Sequence, residues 1–231
     1  MLKLERFAIR VYRAARGLIF RISKLFVEKS PPLLLADQET RFDVLGLSRE
    51  LGIRTVQNNT DPGAGFSGET SEHYPLFAAL AASGFSPQKV LEIGTFDGRF
   101  ARFLAEIFPS AIIHTIDLPR DHGVANDYGR DRWAEYERVR QSNLQTSPRI
   151  SLFEQNSLSL SLYSGNVYDL IWVDGDHGYP VAAADIVNSL RLLKSGGIVC
   201  VDDVFKSVVD PDELLRSLAS FQTLSALEKA G

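Results

Sequence analysis

Residues able to do chemistry gather behind two apolar runs. Leu170-Ile171-Trp172-Val173 leads into Asp174-Gly175-Asp176-His177, and Gly197-Ile198-Val199-Cys200-Val201 leads into Asp202-Asp203. If these runs are adjacent parallel strands, Asp174, Asp202 and Asp203 arrive together at the carboxyl edge of a sheet, where open α/β folds bind ligands. Three converging carboxylates repel one another unless protonated or neutralised by a cation. An all-oxygen set with no cysteine beside it suits Mg²⁺, Ca²⁺ or Mn²⁺ rather than zinc. The plainer alternative is that Asp202 and Asp203 cap a turn while Asp174 bonds backbone amides. Asp176 or His177 can take a proton there; imidazole has the better unperturbed pKa, whereas a carboxylate beside a cation stays ionised. His177 is therefore preferred, against the alternative of a structural imidazole tied to a backbone carbonyl.

A second constellation lies upstream. Val90-Leu91-Glu92-Ile93 runs into Gly94-Thr95-Phe96-Asp97-Gly98, a strand entering a turn bracketed by glycines and followed by a helical pattern. Such a turn lets backbone approach a ligand, although the glycines could be only structural. The full G-x-G-x-x-G spacing is missing, which disfavours a dinucleotide pyrophosphate loop. Asp117 ends the next apolar run, 23 positions after Gly94. A carboxylate there can accept hydrogen bonds from both hydroxyls of a ribose.

The elements that must position these residues are short apolar strands at Val90–Ile93, Ile112–Asp117, Ile150–Glu154, Leu170–Asp174 and Gly197–Asp202. Helical patterns fall at His73–Ala82, Arg99–Phe108, Arg132–Asn143 and Pro180–Leu193, with a weaker one around Ser157. This alternation predicts an α/β fold, Rossmann-like and doubly wound, with a mainly parallel sheet and helices on both faces. Leu118 to Asn143 is longer than a plain connection and rich in charge and aromatics; an insertion at this edge would shape specificity, though a solvated helix explains the same residues.

The quoted segments resemble the class I S-adenosylmethionine-dependent methyltransferases, with Glu92 to Gly98 as the glycine motif and His114-Thr115-Ile116-Asp117 as the acidic motif. Asp169-Leu170-Ile171-Trp172-Val173-Asp174-Gly175-Asp176-His177-Gly178-Tyr179, then Lys194-Ser195-Gly196-Gly197 and Val201-Asp202-Asp203, resemble the methyltransferase domain 24 branch. Macrocin-type O-methyltransferases and cephalosporin hydroxylase-like proteins are similar in these segments. The resemblance covers roughly Ser71 to Lys206. It implies that Glu92, Gly94, Thr95 and Gly98 line the methionine part of S-adenosyl-L-methionine, that Asp117 holds the ribose, and that Asn156 and Ser157 sit by the adenine. It also implies Asp174, Asp202 and Asp203 as ligands of Mg²⁺ or another divalent oxygen-preferring cation. That cation would bind the hydroxyls of a small-molecule acceptor, lower the pKa of one, and align it behind the sulfonium methyl. Two rival readings are a metal-independent methyltransferase and a cofactor-binding membrane protein without turnover.

Composition narrows the rest. The chain has 231 residues, 45% hydrophobic and 23% charged, enough for one α/β domain with its own core. A net charge of −4 does not suggest a nucleic-acid binder. Eight basic residues up to Lys29, against Glu5 and Glu28, leave that segment at +6; the other seventeen against twenty-seven leave the remainder at −10. Residues 2–27 carry apolar positions at helical spacing opposite the basic ones, which predicts an amphipathic helix. It could lie on an anionic membrane, dimerise, or pack on its own domain. Ser30-Pro31-Pro32 is expected to end it, giving segments 1–32, a helical and loop lead-in over 33–88, and a cofactor-binding domain over 89–231. A turn-rich run at 58–65 reads as a loop. The single Cys200 asks for no oxidising compartment, so a cytoplasmic location is expected, peripheral to the inner face of a membrane. Only 28 residues follow Asp203. A helix from Asp210 to Leu218 fits there, but strands six and seven of the methyltransferase sheet do not, and a homo-oligomer covering the edge of strand five is expected.

Overall fold

The computed structural model describes residues 31–59, 72–119, 133–206 and 217–230. The helix expected over 2–27, most of the loop at 58–65, residues 120–132 of the charged insertion and most of the helix expected from Asp210 lie outside them. Two compact units divide the chain, Met1–Glu50 and Leu51–Gly231. In the first, α1 spans Pro31–Val44. Prolines expected to end one helix therefore open another, as they can in a first turn whose amides have no helical partner.

The second unit holds nearly all of α2 (Arg49–Asn59) and all of α3 (His73–Ala82), followed by the alternating region. Its elements are β1 (Lys89–Ile93), α4 (Arg99–Ile107), β2 (Ile112–Asp117), α5 (Trp133–Leu144), β3 (Ile150–Glu154), a 3₁₀ turn (Ser157–Leu162), β4 (Tyr168–Val173), α6 (Val181–Leu192), β5 (Leu193–Val201) and α7 (Ala219–Ala230). The five strands form one sheet in the order β3-β2-β1-β4-β5, every pair parallel. Chain order thus reverses between β1 and β4, and ligands of open α/β sheets bind outside the carboxyl ends at such a point.

Parallel strands buried on both faces need apolar residues on both, and the alternation here supplies two cores. Val90, Ile113, Leu170 and Trp172 pack with Phe77 of α3 and with Phe100, Phe103 and Leu104 of α4. Leu91, Ile93, Ile116, Ile171 and Val173 face the other way, onto Ile186 and Leu192 of α6, Leu160, and Leu224 and Leu227 of α7.

Strand boundaries differ most from expectation in β4, which runs Tyr168–Val173 rather than Leu170–Asp174, and in β5. β5 begins at Leu193 rather than Gly197, because Leu193 pairs with Tyr168 before a bulge carries the register to Leu170↔Ile198. A helix with no counterpart among the expected elements, α7 (Ala219–Ala230), follows the stretch where the helix over 210–218 is expected. Among the described residues no strand follows β5.

Candidate active site

Strand register brings the chemical residues to one edge. Ile93 pairs with Ile116 and with Val173, and Val173 pairs with Val201. The residues just beyond these pairs are Gly94, Asp117, Asp174 and Asp202, and the ladder continues to them: Asp174 N donates to Ile93 O at 2.9 Å and Asp202 N to Val173 O at 2.9 Å. Gly94 has φ +100°, and a Cβ there would lie 2.0 Å from Asp174 O. Both conformation and close approach therefore require glycine. Gly98, at φ +74°, is the N-cap of α4, and its N–H closes the turn on Thr95 O at 2.8 Å.

Beneath this turn lies a polar chain. Glu92 and Thr95 are only 1% and 2% exposed. The Thr115 hydroxyl donates to Glu92 Oε2 at 2.5 Å and sits 2.6 Å from the Thr95 hydroxyl. Burial pushes the Glu92 carboxyl well above its ordinary range; the Thr115 hydrogen bond opposes this, while Asp174, Asp117 and Asp97 reinforce it. Glu92 and Thr95 thus hold the turn from below. Thr115 lies inside the acidic motif without a role read for it there, but its position opposite Glu92 on the same strand face could have identified one.

Asp117 is half-buried. Its Oδ2 accepts the Phe96 amide at 3.1 Å and its Oδ1 the Leu118 amide at 2.8 Å. Burial raises its pKa, and Arg140 with the two amides works against that rise. Helix α5 grips the glycine turn: the Tyr136 hydroxyl donates to Phe96 O at 2.5 Å, and Asn143 Nδ2 to Asp97 O at 2.9 Å. Sequence reasoning missed all three α5 residues, whose spacing shows only a charged helix. Asn156 caps the 3₁₀ turn through Leu158 N at 2.9 Å, with half-buried Ser157 next to it beyond β3, farther along the sheet.

The three carboxylates expected to surround a cation divide instead into two pairs. Asp174 is pushed up to about 7 by burial and then by the charge of Asp202, its hydrogen-bonding neighbour. Asp203, at φ +51°, turns to His177, with Nδ1 to Oδ2 at 2.9 Å. That hydrogen bond raises the imidazole pKa against the effect of burial, with the charges of Asp203, Asp174 and Asp202 adding to the rise. Among the described residues no group of three or more His, Cys, Asp or Glu side chains is arranged to hold a metal ion. The donor chemistry suits a hard cation; the arrangement does not, because imidazole occupies the carboxylate of Asp203. Asp176 is exposed and closes its own loop by accepting Gly178 N at 2.6 Å. The Ser217 hydroxyl donates to His177 O, securing the loop from the segment before α7. Of the two candidate bases, His177 is the one directed into the carboxylate cluster.

The family model described as Methyltransferase domain matches residues 91–204, just under half of the chain. Among solved structures, cofactor-bound Rv0187 from MTB is similar at 22% identity, over 77% of this chain and 76% of that one, with a TM-score of 0.52; that likeness shows the fold. The O-methyltransferase TomG from Streptomyces achromogenes, in complex with SAM, matches at 21% identity over 83% of this chain and 82% of its own, with a TM-score of 0.48. SAH-bound PaMTH1 from Podospora anserina matches at 20% over 78% and 76%, also at 0.48. No curated protein sequence matches the chain.

Proposed function

We propose that residues 91–204, which the methyltransferase-domain model matches, form a class I S-adenosylmethionine-dependent domain and that the chain methylates an oxygen of a hydroxylated small molecule such as a sugar or natural product. The observation that supports this reading is that one sheet edge carries a nucleoside-type acceptor, Asp117 at the end of β2, and, across the switch point between β1 and β4, an oriented imidazole, His177 held by Asp203 at 2.9 Å. Asp117 would accept from the ribose hydroxyls, and the turn from Gly94 to Gly98 would border the methionine end of the cofactor. Asn156 and Ser157 would border the adenine.

The methyl group of the sulfonium is already activated, so the protein must align an acceptor oxygen behind it and remove a proton. His177 donates Nδ1–H to Asp203, which leaves Nε2 as the accepting nitrogen. His177 would take the hydroxyl proton as the acceptor oxygen is methylated, and Asp203 would stabilise the resulting imidazolium. A base beside the acceptor suits a hydroxyl, whose proton must be lost; a neutral amine can attack before losing one.

The test is transfer of labelled methyl from S-adenosylmethionine to a panel of hydroxylated metabolites, with and without EDTA. Wild-type turnover that survives EDTA, with His177→Ala lowering kcat by about 10²–10⁴ while S-adenosylhomocysteine binding is kept, supports the imidazole as base. Abolition by EDTA and restoration by Mg²⁺ would move deprotonation to a cation at the aspartates. Absence of cofactor binding would end the methyltransferase reading.

A further inference from the structure

The proposed role of Asp117 depends on a carboxylate that stays ionised while its oxygens stay open. We propose that Arg140 is the positioning residue that secures both conditions, supplying charge to Asp117 without occupying its lone pairs; the inference rests on the nucleoside role proposed for Asp117. Arg140 comes from α5 and is 1% exposed. Its Nη2 stands 3.9 Å from Asp117 Oδ2, within ion-pair range but beyond a hydrogen bond. Nε and Nη2 are both buried without a hydrogen-bond partner. Idle donors on a buried guanidinium are costly, and an Arg beside a carboxylate ordinarily closes a bidentate pair.

The offset has a consequence for the acceptor count. A carboxylate offers about four lone-pair sites. The Leu118 amide takes one on Oδ1 and the Phe96 amide one on Oδ2. Room for one further donor remains on each oxygen, which matches the two vicinal hydroxyls of a ribose. A bidentate Arg140 would fill both places. The helix that carries it is fixed by the bonds of Tyr136 to Phe96 O and of Asn143 to Asp97 O, so the separation is built into the packing.

The surroundings otherwise favour protonation. Burial raises Asp117, and Glu154, its partner on β3, raises it further; the opposing side chain is Arg140. Glu92 of β1 feels the charge of Asp117, and Tyr136 of α5 is raised by burial and then by Asp117. A protonated carboxyl would turn one acceptor oxygen into a donor and lose a ribose contact.

Calorimetric titration of S-adenosylhomocysteine into the full chain, between pH 5.5 and 8, tests this with wild type, Arg140→Lys, Arg140→Gln and Arg140→Gln/Asp117→Asn. Losing an adjacent Arg raises a carboxylate pKa by about 1–3 units. Arg140→Gln is therefore expected to lose affinity as pH falls, about tenfold per unit below the displaced ionisation, while Arg140→Lys follows wild type. Arg140→Gln tracking wild type at every pH overturns the inference, as does Arg140→Lys behaving like Arg140→Gln. Should Arg140→Gln fail to fold, the double variant, which removes both charges, is expected to recover a cooperative thermal transition. Its failure to do so while Asp117→Asn folds also overturns the inference. Wild type that binds no S-adenosylhomocysteine at any pH would overturn the nucleoside reading itself, a different result from wild-type binding with an unmoved Arg140→Gln profile.

Discussion

Asp185 shows at the scale of a single residue how burial separates a functional carboxylate from one the fold merely tolerates. It sits on α6, fully buried, and burial pushes it up to about 6, with the neighbouring Ser157 hydroxyl working against that rise and the charge of Asp176 adding to it. An acid whose folded pKa is raised is most favourable to folding while protonated. Stability from this group is present below pH 4 and is lost as pH rises through about 6, by on the order of 2–3 kcal/mol. Asp185→Asn is expected to match wild type near pH 4 and exceed it at pH 7.5 by about that amount, as read by urea unfolding at the two pH values. Sequence pattern could not have marked it, since a polar residue in an amphipathic helix does not disclose which side of the helix is buried. Gly94 and Asp117 were legible because the backbone itself sets their place: a strand end, a turn, a strand end. Thr115 and Arg140 were not, because they act on those residues through packing.

Elements were legible where both faces of a strand are apolar, as in β1 and β4, and illegible where a connection does unexpected work. β5 was read too short because the bulge after Leu193 hides its first pairing. α7 carries no proline or acidic start signal, and so was not read; the Ser217 hydroxyl accepts Ala219 N there at 3.1 Å. The end of α4 depends on another hidden connection. Arg149, just before β3, donates to Ala105 O at 2.6 Å, Phe108 O at 3.0 Å and Ala111 O at 2.8 Å. The last carbonyls of a helix have no partner within it, so one guanidinium closes α4 and fixes the approach to β2. Arg149→Ala is expected to lower stability by about 2 kcal/mol with an unchanged denaturant slope. A changed slope would instead mean that α4 and β2 part in the native state.

Charge at the scale of the whole molecule is distributed in a way that the active site does not explain. The segment up to Lys29 carries +6 and the remainder −10, so an anionic surface attracts one and repels the other. Among the described residues no helix is long and apolar enough to cross a membrane; in the segment up to Lys29, basic residues interrupt the apolar sequence every three to five positions from Arg6 on, which favours peripheral contact. Each Lys or Arg near an anionic leaflet is worth about 1 kcal/mol, and the repulsion of the remainder fades beyond a Debye length of about 8 Å at physiological salt. The full chain is therefore expected to sediment with phosphatidylserine vesicles at low salt and to be released as salt approaches about 0.5 M, where screening shortens that length further. A chain starting at Pro31 should stay in the supernatant throughout. Sedimentation that persists in high salt, or on neutral phosphatidylcholine, would assign the contact to the apolar face at Leu4, Phe7 and Val11 instead of the charges. Indifference of the full chain to anionic vesicles would leave dimerisation or packing on its own domain as the use of the segment, and light scattering of the two chains would then separate a dimer from a monomer.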